Sequence, residues 1–418
     1  MKEKWSTMME KDGAKTVVAS LLSILIGLLV GAVIVLIVGL VSPSLGPSSV
    51  WDGIRLVLGG ILSTGREAGK LTFGFNPANV GNMLFRATPL ILTGLSVAVA
   101  FKTGLFNIGA PGQYLMGTAA TLVVALSIPT AAVPAPIVWL LAFLSGILAG
   151  AIWGAIPGLV KALLNINEVL ACIMTNWIAA NLVTWIFRDS AWCNIEENGK
   201  TGYIYKTAHN GVETAKWGLD TIFPGSQVNW GIVIAIVLAV AVYIFINKTT
   251  MGYELVSCGS NRHAARYAGI NDKRNIVLSM AIAGGLAGAA ASLYYLSGNT
   301  EFFWSTYQSL PAAGFNGIPV ALLAASNPIA IIFTGCFMSM LNIAGQQLTN
   351  LTGYNEYITD VIIATIVYLS AFSLVIKMLI SSRKKHPSAG GHDPAPTVVT
   401  EGSGLGSDDG LGKGGEDA

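Results

Sequence analysis

The stretch GYELVSCGSNRHAARYAGINDKR, residues 252–274, decides how this chain is arranged, because it is a polar interval between two long apolar runs. Its charged side chains are mostly basic: Arg262, Arg266, Lys273 and Arg274 against Glu254 and Asp272. Loops that are rich in Lys and Arg stay on the cytoplasmic side of a membrane. We therefore expect this stretch at the cytoplasmic face, with the apolar runs on either side of it crossing the bilayer.

The middle of the stretch predicts a short helix between residues 261 and 270. Asn261 is a good N-cap residue, and Gly269 can adopt the left-handed conformation that ends a helix. A short basic helix in a cytoplasmic loop is typical of a docking element for another protein. The alternative is an ordinary solvated loop, which the charge pattern by itself does not exclude.

Composition places the whole chain in a membrane. Of its 418 residues, 53% are hydrophobic and 11% are charged, far from the averages of soluble domains. The expected fold class is all-α, a polytopic membrane helix bundle with about ten transmembrane segments and discontinuous helices near the midplane. The formal net charge of +2, without a dense Lys/Arg stripe outside the cytoplasmic loops, argues against a nucleic-acid partner.

Apolar runs long enough to span a bilayer recur along the chain. They predict a cytoplasmic tail at residues 1–15, a transmembrane domain at 16–380 and a disordered cytoplasmic tail at 381–418. Residues 48–78 are mixed in character and are expected to form an interfacial helix on the outer face. The predicted crossings are 16–41, 79–101, 105–128, 137–161, 166–187, 230–246, 275–296, 314–326, 329–348 and 357–380. Among these the run at 314–326 is too short for a regular span.

This layout puts both termini in the cytoplasm, a docking loop at 247–275 inside and a large loop at 188–228 outside. Of the 24 Lys and Arg residues, 16 then lie on the cytoplasmic side and seven on the outer side. The positive-inside rule requires a bias of this direction, so the charges support the layout independently of hydropathy.

Two segments interrupt the apolar pattern at membrane depth: FNIGAPGQ at 106–113 and GFNGIP at 314–319. Irregular backbone is tolerated there if it is buried in protein or lines a water-filled cavity, and in transporters such segments point to the substrate site. The amides would bind hydroxyl or amide groups, and the phenyl rings would stack on a flat substrate. The alternative is a pair of kinks bonded to neighbouring helices. The candidate pathway residues are Phe106, Asn107, Gln113, Phe315 and Asn316.

Three charged residues lie within or beside the apolar runs: Arg86, Glu168 and Asp360. Glu168 stands at a helix start and is predicted to cap it, Asp360 lies a turn inside the last helix, and Arg86 lies deeper. The sequence has no series of acids such as a proton-coupled pump needs.

Glycines at 146, 150, 154 and 158 recur every four residues and predict one helix face on which backbones approach closely. The string SGILAGA at 145–151 is echoed by AGGLAGA at 283–289. The echo hints at two related halves, although matches this short arise readily in apolar sequence.

Catalytic motifs are absent from the sequence. It contains no GxxxxGK[ST] string to bind nucleotide phosphates and no HExxH, and its four histidines are dispersed. We therefore expect a chain that is not an enzyme, with no catalytic residues, no metal site and no cofactor of its own.

Four blocks, in this order, carry a resemblance to a known family: LFNIGAPGQYLMGTAA at 105–120, NINEVLACIMTNWIA at 165–179, GSNRHAARYAGIN at 259–271 and GFNGIPVALLAASNP at 314–328. Together they resemble the permease subunits of bacterial ABC importers of the branched-chain amino acid and simple-sugar superfamily, within which the nucleoside/simple-sugar branch is most similar. The resemblance covers about residues 80–380.

The resemblance implies a bacterial plasma-membrane protein with several partners besides lipid. These are a second permease, giving a heterodimer, a cytoplasmic ABC ATPase that uses ATP on two nucleotide-binding domains, and an extracellular substrate-binding lipoprotein. It adds Asn176 and Trp177 to the substrate pathway. It also assigns ATPase docking to Gly259, Asn261, Ala264, Ala265, Arg266, Tyr267, Gly269 and Ile270.

The implied function is ATP-driven import of nucleosides. One alternative is an importer of simple sugars of the ribose or galactose type, and another is an autonomous secondary carrier. The docking helix and the lack of ion-coupling carboxylates favour the importer over the carrier. An inert membrane scaffold is disfavoured, since the two polar interrupted segments would serve no purpose in it.

Overall fold

A computed structural model describes residues 12–41, 46–188, 190–193, 202–203, 211–303, 308–355 and 357–371. Most of these residues are helical, which confirms the expected all-α class. The predicted tail at 381–418, the first 11 residues and much of the predicted outer loop at 188–228 lie outside the described residues.

Fourteen helices are described, and short strands pair as two antiparallel ladders, β1 with β2 and β3 with β4. The helices are α1 (Asp12–Val41), α2 (Pro47–Gly59), α3 (Pro77–Lys102), α4 (Ala110–Ser127), α5 (Ala135–Leu164), α6 (Glu168–Phe187), α7 (Leu219–Ile222), α8 (Gly231–Lys248), α9 (Thr250–Ser260), α10 (Arg262–Tyr267), α11 (Asp272–Tyr295), α12 (Ala312–Leu323), α13 (Pro328–Thr352) and α14 (Tyr357–Ala371). The strands are β1 (Ser63–Glu67), β2 (Lys70–Phe73), β3 (Gly202–Tyr203) and β4 (Phe302–Phe303).

Within the described part of the chain, six helices are long and apolar enough to cross a membrane, namely α3, α5, α6, α8, α11 and α13. Each coincides with a crossing predicted from the sequence. Two shorter apolar helices, Leu25–Val41 within α1 and all of α12, coincide with two more. The total of ten crossings and the cytoplasmic position of the termini stay predictions.

The centre of the bundle is formed by α3 and α11. In their most apolar windows 83% and 78% of the residues are buried, against 28% in α5 and 33% in α8. The outer helices turn large apolar side chains outward, as Leu140, Leu144 and Leu148 of α5 do. This is the arrangement expected of a bundle surrounded by lipid, in which exposed leucine costs nothing.

The glycine stripe of α5 packs closely on another helix, as its spacing predicts, and the structure shows that this helix is α11. A Cβ atom added at Gly150 would overlap the backbone of Gly284, and one at Gly146 would overlap the side chain of Ser292. A Cβ at Gly288 would overlap the backbone of Gly146 in turn. The echoed strings SGILAGA and AGGLAGA therefore lie on two helices that pack against each other, and close backbone approach accounts for their shared small residues.

The prediction of a single interfacial helix at 48–78 is wrong beyond residue 59. A 3₁₀ turn at Gly60–Leu62 follows α2, and the chain then forms the β1–β2 hairpin. Positive φ angles at Ala68 (49°) and Gly69 (77°) make the tight turn, and Thr64 Oγ1 donates to Thr72 Oγ1 across the strands at 2.8 Å. The β-branched residues and the glycines favour a hairpin, and the charges of this segment concealed that signal.

The prediction that residues 314–319 interrupt the helix is also wrong, because they lie inside α12. Pro319 is in the helix interior, where it cannot donate to the carbonyl of Phe315. The chain turns later, at Ala325 and Ser326, whose φ angles are 48° and 55°. Glycine and proline here serve close packing within a short membrane helix.

Two helix starts differ from the predictions. The crossing expected from residue 105 begins as a helix at Ala110, because residues 105–109 are irregular. Glu168 is not the cap of α6: Asn167 Oδ1 accepts from the backbone N–H of Val169 at 2.9 Å. Because Asn167 takes the capping position, the carboxylate of Glu168 is available to the preceding helix, and it forms an ion pair with Lys161 at 3.0 Å.

Candidate functional site

A buried amide network holds the irregular segment between α3 and α4. Asn107 Nδ2 donates to Ser96 Oγ at 3.1 Å and to Gln113 Oε1 at 2.8 Å. Asn107 Oδ1 accepts from Gln113 Nε2 at 3.0 Å and from the backbone N–H of Gly109 at 3.1 Å. Asn107 and Gln113 are 0% and 1% exposed. Internal hydrogen bonds of this kind are what make a non-helical backbone tolerable in a bilayer.

Asn176 joins the same segment to α6. Its Oδ1 accepts from the backbone N–H of Gly112 at 2.9 Å, and its Nδ2 donates to the carbonyl of Ile108 at 3.0 Å. The structure thus brings Asn107, Gln113 and Asn176 together around one stretch of backbone. Each amide is hydrogen-bonded within the protein here, and their contact with a substrate stays a prediction.

The other predicted pathway residues lie elsewhere. The ring of Phe106 stacks on Phe101 with centroids 5.4 Å apart. Trp177 is 53% exposed on α6, and Phe315 and Asn316 are half-buried on α12. The structure therefore does not place Trp177, Phe315 or Asn316 in the amide network.

The segments 106–113 and 314–319, which carry the two predicted motifs, nevertheless contact each other. Gly314 of α12 packs directly on Pro111 at the start of α4, where a Cβ atom would overlap the proline. One turn on, Gly317 packs on the backbone of Thr93 in α3. The small residues of the second motif therefore allow α12 to lie against the helices that carry the first.

The helix predicted between residues 261 and 270 is confirmed as α10. Asn261 caps it, since its Oδ1 accepts from the backbone N–H of Ala264 at 3.0 Å. Gly269 ends it with a φ of 82°, and the N–H of Ile270 donates to the carbonyl of Ala265 at 3.0 Å. This is the glycine C-cap that the sequence predicts.

Ion pairs hold α10 to the start of α11. Arg262 Nε and Arg266 Nη2 both donate to Asp272 Oδ2 at 2.7 Å, and the hydrogen bond to Asp272 raises the pKa of Arg266. Arg274 of α11 pairs in turn with Glu254 of α9 at 2.9 Å. The basic residues that predict the cytoplasmic side thus also fix the shape of the loop.

The predicted docking residues divide into an exposed set and a packed set. Ala265 is 4% exposed and packs inward, and Gly259 lies on the backbone of Lys102 and Gly104, where no Cβ fits. Ile270 is half-buried. The exposed members are Asn261, Ala264, Arg266, Tyr267 and Gly269.

An open groove of about 1070 Å³ runs between α9 and α10. Ala264, Ala268 and Tyr253 line or border it, and Tyr267 of α10 is 94% exposed. A groove and an exposed aromatic side chain on a capped, ion-paired helix are the features that a docked protein would contact, and docking itself stays a prediction.

The chain matches the sequence model of a family described as the branched-chain amino acid transport system, permease component, over residues 79–371. The chain belongs to this permease family. The match spans the amide network and the two loop helices and leaves out α1, α2 and the hairpin. The permease is a multi-pass membrane protein and a component of an ABC transporter.

Three curated relatives show how the permease compares with characterised proteins. It is 33% identical over 306 residues to the guanosine ABC transporter permease protein NupP of Bacillus subtilis, covering 73% of this chain and 84% of the relative. It is 33% identical over 329 residues to the nucleoside ABC transporter permease protein NupB of Lactococcus lactis, covering 75% and 89%. A glucose ABC transporter permease protein of Haloferax volcanii is 29% identical over 292 residues, covering 68% and 74%.

One polar face of the permease was not predicted from the sequence. Asn342, Gln346 and Asn350 lie four residues apart on α13, a helix apolar enough to span a membrane. That spacing puts them on the same side of the helix. A search for polar residues at intervals of four within apolar runs would have found this face.

Proposed function

We propose that this permease imports nucleosides as the membrane subunit of an ABC transporter. The observation that carries the proposal is its 33% identity, over about three quarters of its length, to permeases named for guanosine and for nucleosides. The described spans support a neutral substrate, since within them charged side chains are few. A phosphorylated substrate would need several cationic partners at low dielectric.

A simple sugar is the second candidate, because a glucose permease is also similar, at 29% identity. Competition for uptake separates the two candidates. Cells that express the whole transport system should accumulate a radiolabelled nucleoside, and other unlabelled nucleosides should block this accumulation while excess ribose or galactose does not. Full competition by ribose and none by nucleosides would replace the nucleoside with the sugar.

The energy for import comes, in this proposal, from a separate cytoplasmic ABC ATPase that docks on α10 and on the groove beside it. The chain contains no phosphate-binding motif of its own. The exposed side chains of Ala264 and Tyr267 would enter the ATPase surface, while the ion pairs to Asp272 keep α10 rigid. ATP is used by that partner.

A physical route supports coupling between the dock and the membrane. Gly259, which precedes α10, lies directly on the backbone of Lys102 and Gly104 at the end of α3. The next residues, 105–109, are the irregular segment held by Asn107. Because these backbones are in contact, a displacement of α10 by the ATPase would move the segment that enters α4.

A second, different permease and an extracellular substrate-binding lipoprotein complete the proposed system. Two distinct nucleoside ABC transporter permease proteins of Lactococcus lactis, NupB and NupC, both resemble this chain, at 33% and 24% identity. Because two different permeases of one organism both resemble this chain, the comparison supports a heterodimer of this permease with a second, different one. Co-purification of the tagged permease in mild detergent tests the assembly: an isolated, transport-competent permease would instead support an autonomous carrier.

A further inference from the structure

A polar cavity of about 480 Å³ opens between α3, α13 and α14, away from the amide network. Arg86 contributes a guanidinium from α3, and Asp360 contributes a carboxylate from α14. The amides of Asn342, Gln346 and Asn350 line it from α13, and Tyr357 stands at its edge. The cavity thus combines charges of both signs with several amides and a phenol.

The position of these groups in apolar helices requires an explanation. Arg86 lies about two and a half turns inside α3, and Gln346 and Asn350 are exposed on α13. A guanidinium and a row of amides facing lipid would be strongly unfavourable. The face they form is therefore in contact with water or with another polar molecule.

The two charged groups remain available to a ligand. With its amide oxygen turned toward α3, Gln346 accepts from both terminal nitrogens of Arg86, at 3.1 and 2.7 Å. This contact orients the guanidinium without neutralising it. Among the ion pairs of the described residues, none involves Arg86 or Asp360.

We propose that this cavity is a substrate subsite of the permease that takes a nucleoside, with Asp360 on the ribose hydroxyls and Arg86 with the α13 amides on the base. A carboxylate accepts two hydrogen bonds from a vicinal diol, and a guanidinium and amides match the carbonyl and ring-nitrogen edge of a base. The ring of Tyr357 is 65% exposed and offers a stacking surface for the base. The inference rests on the proposed function and adds the site and its contacts.

The pairing of Asp360 with the diol is tested by comparing two substrates in a wild-type strain and in an Asp360→Asn strain. Uptake of a ribonucleoside and of its 2′,3′-dideoxy analogue is measured in cells that carry the whole system with Asp360→Asn. We expect ribonucleoside uptake to fall about tenfold or more, because the charged acceptor is lost, while uptake of the dideoxy analogue changes little. The substrate-binding protein is the same in both strains, so its own preference cancels in the comparison.

The matched control is Asp220→Asn, which removes an exposed carboxylate on α7 outside the cavity and should leave both uptake rates unchanged. If Asp360→Asn is absent from the membrane, Asn350→Leu tests the same cavity from α13, with reduced uptake of both substrates and normal ATPase co-purification expected.

The remaining outcomes separate this inference from the proposed function. If the wild type takes up nucleosides and the cavity variants behave like Asp220→Asn, the subsite is overturned and the proposed function stands. An equal loss of both substrates with loss of the second permease on purification shows a subunit contact, and also overturns the subsite. Absence of nucleoside uptake in the wild type removes the proposed function and the subsite together.

Discussion

At the scale of single residues, amides replace helical hydrogen bonds where the chain leaves α3. Asn107, Gln113 and Asn176 bind one another or the backbone of residues 108–112, and each is at most 2% exposed. A buried polar group that loses its partner costs more than the hydrogen bond itself was worth. The network is therefore both the means by which the irregular segment exists and a sensitive point of the fold.

Replacement of Asn176 by Ala should destabilise the permease by about 1–3 kcal/mol, because the N–H of Gly112 and the carbonyl of Ile108 lose their partner. Thermal unfolding in detergent, followed by size-exclusion chromatography, measures the effect. Asn181→Ala is the control, since Asn181 is exposed on the same helix and donates only to the carbonyl of Trp177. Equal melting temperatures for the two variants would contradict the role of the network.

Two glycine-to-alanine changes separate close packing from helix propensity. Gly150→Ala should destabilise the bundle by about 1–3 kcal/mol, because the new methyl group overlaps the backbone of Gly284. Gly285→Ala adds the same methyl on α11 where the nearest atoms are 3.5 Å away, so it should be neutral or slightly stabilising. The comparison uses the same melting assay, and a tolerated Gly150→Ala would show that α5 and α11 are not tightly packed.

At the scale of elements, α10 has one face turned into the protein and one turned outward. Ala265 is buried, so a carboxylate there would disturb the packing of α10 itself and would not report on docking alone. Ala264, one residue earlier, is exposed and lines the groove between α9 and α10. A substitution at Ala265 therefore tests folding of the loop, whereas one at Ala264 tests binding of a partner.

Ala264→Asp should reduce recovery of the ATPase with the tagged permease by about tenfold or more, since an unpaired carboxylate would be buried at the interface. Ala132→Asp makes the same change at an exposed alanine between α4 and α5, on the predicted outer face, and should leave recovery unchanged. Membrane abundance of both variants should equal that of the wild type. Normal ATPase recovery and normal uptake with Ala264→Asp would remove α10 from the docking site.

At the scale of the whole molecule, the position of each loop relative to the membrane follows from charge and hydropathy. The β1–β2 hairpin is predicted outside and α10 inside, although both are basic and exposed. A label at Asn198 in the loop predicted outside at 188–228 would test this layout, but Asn198 lies outside the described residues. Lys70 on the hairpin is also predicted outside and is exposed, so it takes the place of Asn198.

Cysteine labelling decides the orientation. An impermeant thiol reagent added to intact cells should modify Lys70→Cys, whereas His263→Cys should react only after permeabilisation, because both positions are exposed but lie on opposite sides in the predicted layout. Of the native cysteines, Cys172 and Cys258 are buried, and the partly buried Cys193 and Cys336 are replaced by Ser in the protein used for labelling. Reaction of His263→Cys in intact cells would invert the topology.

The sequence by itself determined the membrane class, the position of the long helices, the close-packing glycine face of α5 and the capped helix α10. Each of these depends on local quantities: apolar length, four-residue spacing, and cap residues such as Asn261 and Gly269. The hairpin after α2 was missed because its charged residues obscured a weak local signal.

Only the tertiary structure decided which polar residues lie together. Asn107 and Asn316 occupy similar motifs, yet one is fully buried in a network and the other is half-buried on α12. Arg86 and Asp360 are far apart in the sequence and line one cavity. Hydrogen-bond partners and cavities depend on how helices distant in the chain pack, and the spacing of residues within one helix carries no record of its neighbours.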